Sequence, residues 1–174
     1  YAPQPHPPFC GMGDKTSSEC AVKCAQAVED LILFHGPNTI AAFIAEPVTG
    51  GPVVVPGAEY WPMIREICDK YGVLVIADEV VTGFGRTGKM FGVEHWGVVP
   101  DIMTVAKGIS STYMPIGAVI ATREVVEVFA GEENIFEQTM TFGGHPVTAA
   151  AAFKNIEIIE REKLVQNSAD MGAY

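Results

Sequence analysis

The run VLVIADEVVTGFGRTG at residues 73–88 decides the fold. Val73 to Ala77 is a short, wholly apolar run with branched side chains, which suits a strand buried on both faces. It runs straight into Asp78-Glu79, and a glycine-rich connection follows from Thr82 to Gly88. Working outward, Thr39 to Ala45 is a similar apolar run and predicts another buried strand. Asp101 to Val105 and Ile116 to Ala121 predict two more. Between and around these lie helical patterns. Thr16-Ser-Ser-Glu19 is a capping box, in which Thr16 and Glu19 can satisfy the first orphan amides of a helix. The apolar positions Ala21, Cys24, Ala25, Val28, Leu31 and Ile32 then fall on one helical face, which should end at Gly36-Pro37. Tyr60, Ile64, Ile67, Cys68 and Tyr71 mark a second helix with Gly72 as its cap. Thr122 can cap a short helix, and residues 146–164 predict a longer one with Pro146 in its first turn. Continuous apolar strands alternating with helices imply an α/β chain, with a mostly parallel sheet flanked by helices.

Composition narrows the class. The 174 residues are 48% hydrophobic and 18% charged, with mean hydropathy +0.22. That is about one domain at about 150 residues per domain, and it argues against disorder. The charge-free stretch from Gly108 to Thr122 is broken by Gly, Pro, Ser and Thr well short of the ~18 apolar residues of a membrane span. Eleven basic against 21 acidic residues give a net charge of −10, which argues against nucleic-acid binding by bulk charge. The four cysteines, Cys10, Cys20, Cys24 and Cys68, form no disulfide framework. Cys20 and Cys24 sit one helical turn apart without a His or Cys pair at zinc-finger spacing. They therefore read as free thiols of a reducing compartment, such as the cytoplasm, and no metal site is expected. No targeting segment is visible, and the Pro-rich opening YAPQPHPP reads as an interior loop, with a loop expected over residues 1–15.

In open α/β sheets, ligands bind beyond the carboxyl ends of the strands. Three ionisable residues fall there: Glu46, Asp78 and Lys107. Singly, each has an ordinary explanation as a loop cap or a solvated side chain. Together they suit one chemistry. A lysine amine, with an ordinary pKa of about 10.4, can hold an aldehyde cofactor as a Schiff base and afterwards carry a proton. Such a cofactor withdraws electrons only while its pyridine nitrogen is protonated, which calls for a fixed carboxylate. Asp78 is placed to be that carboxylate, and Val80, two residues on, should project to the same side and press on the ring.

Four motifs carry a resemblance. VIADEVVTGFGRTG (75–88), IAEPV (44–48), PDIMTVAKG (100–108) and TFGGHP (141–146) together resemble the class III pyridoxal-phosphate aminotransferases, of ω-amino type. The resemblance runs from about Cys10 to near the end of the chain. It implies the large, cofactor-binding domain of fold type I, with residues 16–174 as part of it. It also implies pyridoxal 5'-phosphate (PLP) as cofactor, with Lys107 as its Schiff-base partner and proton shuttle. Asp78 would pair with the pyridine nitrogen, Val80 would lie on the ring and Glu46 near its phenolic side. Thr141 would reach the phosphate of a cofactor bound mainly to another subunit, in a homodimer or dimer of dimers. Glu46 could instead only hold loop amides, and Thr141 only cap a turn.

The same resemblance implies transfer of an amino group from an amine or ω-amino acid to a keto acid. The run ISSTYMPIG at 109–117 is similar to members that use pyruvate. Arg86 is read as a structural or interface residue, His95-Trp96 as packing, and Tyr113 as a possible lining residue. The family's upstream phosphate-cradling segment and its C-terminal small domain have no counterpart in these residues. The expectation is therefore an interior piece of a larger protein, inactive and poor at binding cofactor alone. A same-family aminomutase or decarboxylating transaminase, or a non-catalytic paralogue, is the alternative. A Rossmann-type nucleotide binder is set aside on the expectation that no G-x-G-x-x-G follows a strand.

Overall fold

The computed structural model describes residues 1–10, 16–131 and 134–174. The chain divides into two compact units, residues 1–78 with 93–100, and residues 79–92 with 101–174.

The first unit is built from α1 (Ser17–His35), β1 (Ala42–Ala45), α2 (Tyr60–Tyr71) and β2 (Leu74–Asp78). The α1 start is the expected one: Thr16 Oγ1 accepts from the Glu19 amide at 3.2 Å and donates to Glu19 Oε2 at 2.9 Å. Cys20, Ala21, Cys24, Ala25, Val28 and Ile32 form the buried face of α1. On α2 the buried residues are Tyr60, Trp61, Ile64, Ile67 and Cys68, and the helix ends at Gly72 with φ +68°. Burial pushes the Cys20 thiol well above the ordinary thiol range. Trp61 is fully buried, 6.5 Å from Trp96 between ring centroids, and its Nε1 donates to the Pro47 carbonyl. Trp96 Nε1 donates to the Gly57 carbonyl at 3.2 Å, so the packing role expected of Trp96 is met.

The strands β1 and β2 run parallel, in the register Ala42↔Leu74 to Ala45↔Ala77. β1 is shorter than the apolar run suggests. Residues 37–39 are drawn into a 3-10 turn in which Thr39 Oγ1 donates to the His35 and Gly36 carbonyls. Nor is β1 buried on both faces, since Ile44 is 60% exposed. Of the loop expected over 1–15, residues 7–9 make a 3-10 turn, and residues 11–15 lie outside the described ones.

The second unit holds β3 (Ile102–Val105), β4 (Ala118–Ala121), α3 (Arg123–Glu127), α4 (Pro146–Arg161) and α5 (Leu164–Ala173). β3 and β4 pair antiparallel, Ile102↔Ala121 to Val105↔Ala118. The α/β class is as expected, but strand pairing is mixed. Thr122 heads α3 through its carbonyl, which accepts from the Val126 amide, and its side chain makes no cap. The helix expected over 146–164 is α4, which ends at Arg161, and a further helix, α5, follows it. Lys163 takes a left-handed φ of +53° and breaks the run. Among the described residues, no helix is long and apolar enough to cross a membrane.

Two tests follow from the first unit. A Cβ on Gly57 would sit 2.6 Å from the Ser17 carbonyl oxygen and 2.9 Å from Ala21 Cβ. Gly57→Ala is expected to cost about 1–3 kcal/mol of stability in urea unfolding, because backbone cannot yield as a side chain can. Glu29 Oε1 accepts from Lys70 Nζ and from the Tyr71 hydroxyl, both at 2.8 Å. With a third bond from Gln26, these pull the Glu29 carboxyl from 4.5 down to about 2. A depressed carboxyl stabilises the fold above its unfolded value and stops doing so as pH falls through the folded one. The denaturation midpoint of the wild type should exceed that of Glu29→Gln at pH 7. The gap should close between about pH 4.5 and 2.

Candidate active site

Glu46 and Asp78 come side by side in the first unit. Each directly follows the last register pair of the parallel strands, Ala45↔Ala77, so both stand at the carboxyl end of the pair. Asp78 is the last residue of β2 and is half-buried. Glu46 is half-buried too, and its Oε2 accepts from the Gly50 amide at 2.8 Å. That bond, with the Thr49–Val54 bridge and Thr49 Oγ1 donating to the Pro52 carbonyl, folds the loop after β1 back on itself. The loop-holding role weighed for Glu46 is therefore real. It occupies one carboxylate oxygen.

Lys107 belongs to the second unit. β3 ends at Val105, and after Ala106 the chain turns into a 3-10 segment, Lys107–Ile109. Val105 and Ile109 are buried with Ala152 of α4, and Phe84, Phe91, Met103, Ile116 and Ile156 pack around them. This core fixes the turn on its apolar side. Its polar side is held by Asn155 of α4, whose Nδ2 donates to the Gly108 carbonyl at 2.9 Å and the Ile109 carbonyl at 3.1 Å. Ser110 Oγ adds a bond to the Met114 carbonyl at 2.7 Å.

Lys107 itself is exposed and lines a cavity of about 520 Å³ with Phe84, Arg86, Ser111, Thr112 and Ser168 among its walls. Four of these wall residues have left-handed backbone: Phe84 at φ +59°, Lys107 at +42°, Ser111 at +47° and Thr112 at +64°. Among the described residues the other non-glycine left-handed position is Lys163. Such conformations cost about 1–3 kcal/mol each and gather where the surroundings force them, often at functional sites. The cavity lies within the ~300–1,000 Å³ range of small-molecule sites.

The wall containing Phe84 and Arg86 is the loop after β2. Glu79, fully buried, closes it. Its Oε2 accepts from Thr82 Oγ1 at 2.5 Å and from the Gly92 amide at 2.8 Å, and its amide donates to the Thr104 carbonyl. Gly83, Gly85 and Gly88 do have G-x-G-x-x-G spacing after β2, contrary to the sequence reading. They form turns, not the start of a helix, so they do not make a strand-to-helix phosphate loop. Val80 is half-buried in this loop. β2 stops at Asp78, so strand alternation does not carry on to align Val80 with it.

Thr141 is exposed in a turn closed by the Gly143 amide donating to the Met140 carbonyl. Tyr113 is 81% exposed and is not among the cavity walls. His145 precedes α4 without a side-chain cap, and its carbonyl accepts from Thr148 Oγ1.

Asn155 and Glu79 are the contributors that sequence reasoning missed. Asn155 had a signal: a lone amide at the same spacing as Ala152 and Ile159 on an otherwise apolar helix face. Asn155→Leu should cost about 1–3 kcal/mol, because two carbonyls lose their donor. Hydrogen exchange should show the effect first at residues 108–110.

Comparison with known proteins gives one answer. Residues 2–174 match the model of the family described as aminotransferase class-III. The chain is 47% identical over 173 residues to a taurine–pyruvate aminotransferase of Bilophila wadsworthia, covering 95% of this chain and 38% of that protein. It is 48% identical over 155 residues to a putrescine–pyruvate aminotransferase of Pseudomonas aeruginosa, covering 88% and 34%. An amine transaminase from an uncultivated Pseudomonas species, solved in the PLP-bound (internal aldimine) form, matches with TM-score 0.93 at 42% identity. That match covers 98% of this chain and 39% of the solved one. The chain thus spans well under half the length of these relatives.

Proposed function

The chain belongs to the class III aminotransferase family, and on that premise we propose a transaminase function for the whole protein. It moves an amino group from an amine or ω-amino acid to a keto acid such as pyruvate, with PLP as cofactor, in the cytoplasm or another reducing compartment. The chain contributes part of the PLP-binding large domain. The observation that carries this reading is Lys107, presented from a strained turn into a cavity of small-molecule size. The names of both relatives quoted above support pyruvate as acceptor and favour transamination over an aminomutase or decarboxylating reaction.

The residues present fit the cofactor by their chemistry. A primary amine suits its aldehyde, a strand-end carboxylate suits its ring nitrogen, and hydroxyls suit its phosphate. Lys107 Nζ would hold the cofactor by its aldehyde, and as a free amine it would take and return a proton. Asp78 would keep a proton on the ring nitrogen through its carboxylate. Val80 would pack on a ring face, and Glu46 would serve the phenolic side. Thr141 would donate its hydroxyl to the phosphate of a cofactor held mainly by a second subunit, in a homodimer or dimer of dimers. The cofactor, when bound, supplies an electron sink for the carbon that carries the amine. Asn155 and the core of Val105, Ile109 and Ala152 hold the backbone turn from which the amine extends.

The test uses the full-length protein with PLP, taurine or putrescine as donor, and pyruvate as acceptor, with alanine as the product measured. Borohydride reduction and peptide mapping should place the adduct on Lys107. Lys107→Ala should lower turnover by about 10²–10⁴-fold or more. Asp78→Asn should retain cofactor yet lose most turnover. Undiminished activity in Lys107→Ala would overturn the assignment. Glutamate formed from 2-oxoglutarate, with no alanine from pyruvate, would replace the acceptor and leave the reaction type standing.

A further inference from the structure

Three of the four cysteines, none of them assigned a role above, converge in the first unit. Cys20 and Cys24 project from the same face of α1, one turn apart, and both are buried. Cys10 arrives from the segment before the helix, just after the turn at residues 7–9, and is half-buried. The three sulfurs lie within 4.8 Å of one another, and Cys10 Sγ and Cys24 Sγ are 3.8 Å apart. Cys68 is also buried but stands outside the group.

Packing alone does not require this convergence. A buried cysteine acts as a small apolar side chain, and such side chains are commonly spread through a core. The separation has a chemical meaning. Thiolates bound to zinc at about 2.3 Å in a tetrahedron stand about 3.8 Å apart. The Cys10–Cys24 distance has that value without any movement. A disulfide needs the same two sulfurs at about 2.05 Å, which demands a shift of the segment. The Gln4 carbonyl oxygen, 3.5 Å from Cys24 Sγ, is a candidate fourth donor.

We propose that Cys10, Cys20 and Cys24 form a three-thiolate site for a single thiophilic cation of the zinc type, which pins the segment before α1 to that helix. On binding, each thiol gives its proton to solvent, and a sulfur–metal bond replaces a metal–water bond. The site is structural, and transamination does not depend on it. The sequence had suggested no metal site, because Cys20 and Cys24 have no His or Cys pair at zinc-finger spacing nearby.

The experiment uses the full-length holoprotein, stripped of adventitious metal with a chelator and titrated with cobalt(II) and then zinc(II). The expected result is a sulfur-to-cobalt charge-transfer band that saturates at one equivalent and is displaced by zinc. Cys20→Ala or Cys24→Ala should weaken binding by about 100-fold or more, beyond the 10–100-fold cost of outer-shell changes. Cys68→Ala should leave it unchanged. A second readout needs no variant: one equivalent of zinc should slow iodoacetamide alkylation of Cys10 by about tenfold or more. No charge-transfer band together with unchanged alkylation would overturn the proposal. So would a Cys10–Cys24 disulfide in protein purified without reductant that persists in place of metal binding. Alanine formation is measured separately, so failure here leaves the transaminase reading untouched.

Discussion

An L-residue held at φ +42° needs support from outside itself, and Lys107 receives it from two directions. Val105, Ile109 and Ala152 bury the apolar side of its turn, and Asn155 takes up the carbonyls of Gly108 and Ile109. The amide is worth more here than a single surface hydrogen bond. Without it, two carbonyls close to the core would lose their donor, a cost in the range of about 1–3 kcal/mol. The rest of the second unit is organised around that turn. β3 delivers it, α4 clamps it, and the loop closed by Glu79 supplies the facing wall of the cavity.

The first unit solves a different problem, the placement of two carboxylates at one end of a parallel pair. One Glu46 oxygen is taken by the Gly50 amide, which ties the strand end to the loop that follows it. The loop carrying that amide is anchored in turn by Trp61, whose indole donates to the Pro47 carbonyl. A tryptophan packed against Phe43 of β1 and Trp96 thereby links the strand end to the helix that covers it.

What was legible in the sequence was local. The Thr16–Glu19 start, the Gly72 stop and the apolar faces of α1 and α2 depend on residues within one or two turns of each other, and they stand as read except that Leu31 and Tyr71 are only half-buried. The polar residues after the strands were likewise visible as oddities at the ends of apolar runs. Pairing direction was not. The connection from β3 to β4 contains the lysine turn but no crossover α-helix, so the chain reverses and pairs antiparallel. The strand expected over Ile116 to Ala121 is present as β4, with Val119 69% exposed. The break at Lys163 carried no Gly or Pro to announce it. Asn155 and Glu79 draw their meaning from partners 13 to 47 residues away, which no local pattern encodes.

The Glu79 carboxylate bond to the Gly92 amide spans only 13 residues, so it stitches the two ends of a short loop to each other. Closing so small a loop carries a modest entropy penalty, and compact loops of this kind pack on their own side chains. The wall residues Phe84 and Arg86 therefore ride on a self-fastened cassette. Evolution can vary the interior of such a cassette while the stitch stays in place. The cavity's shape can drift between related chemistries without the turn that presents the amine being rebuilt.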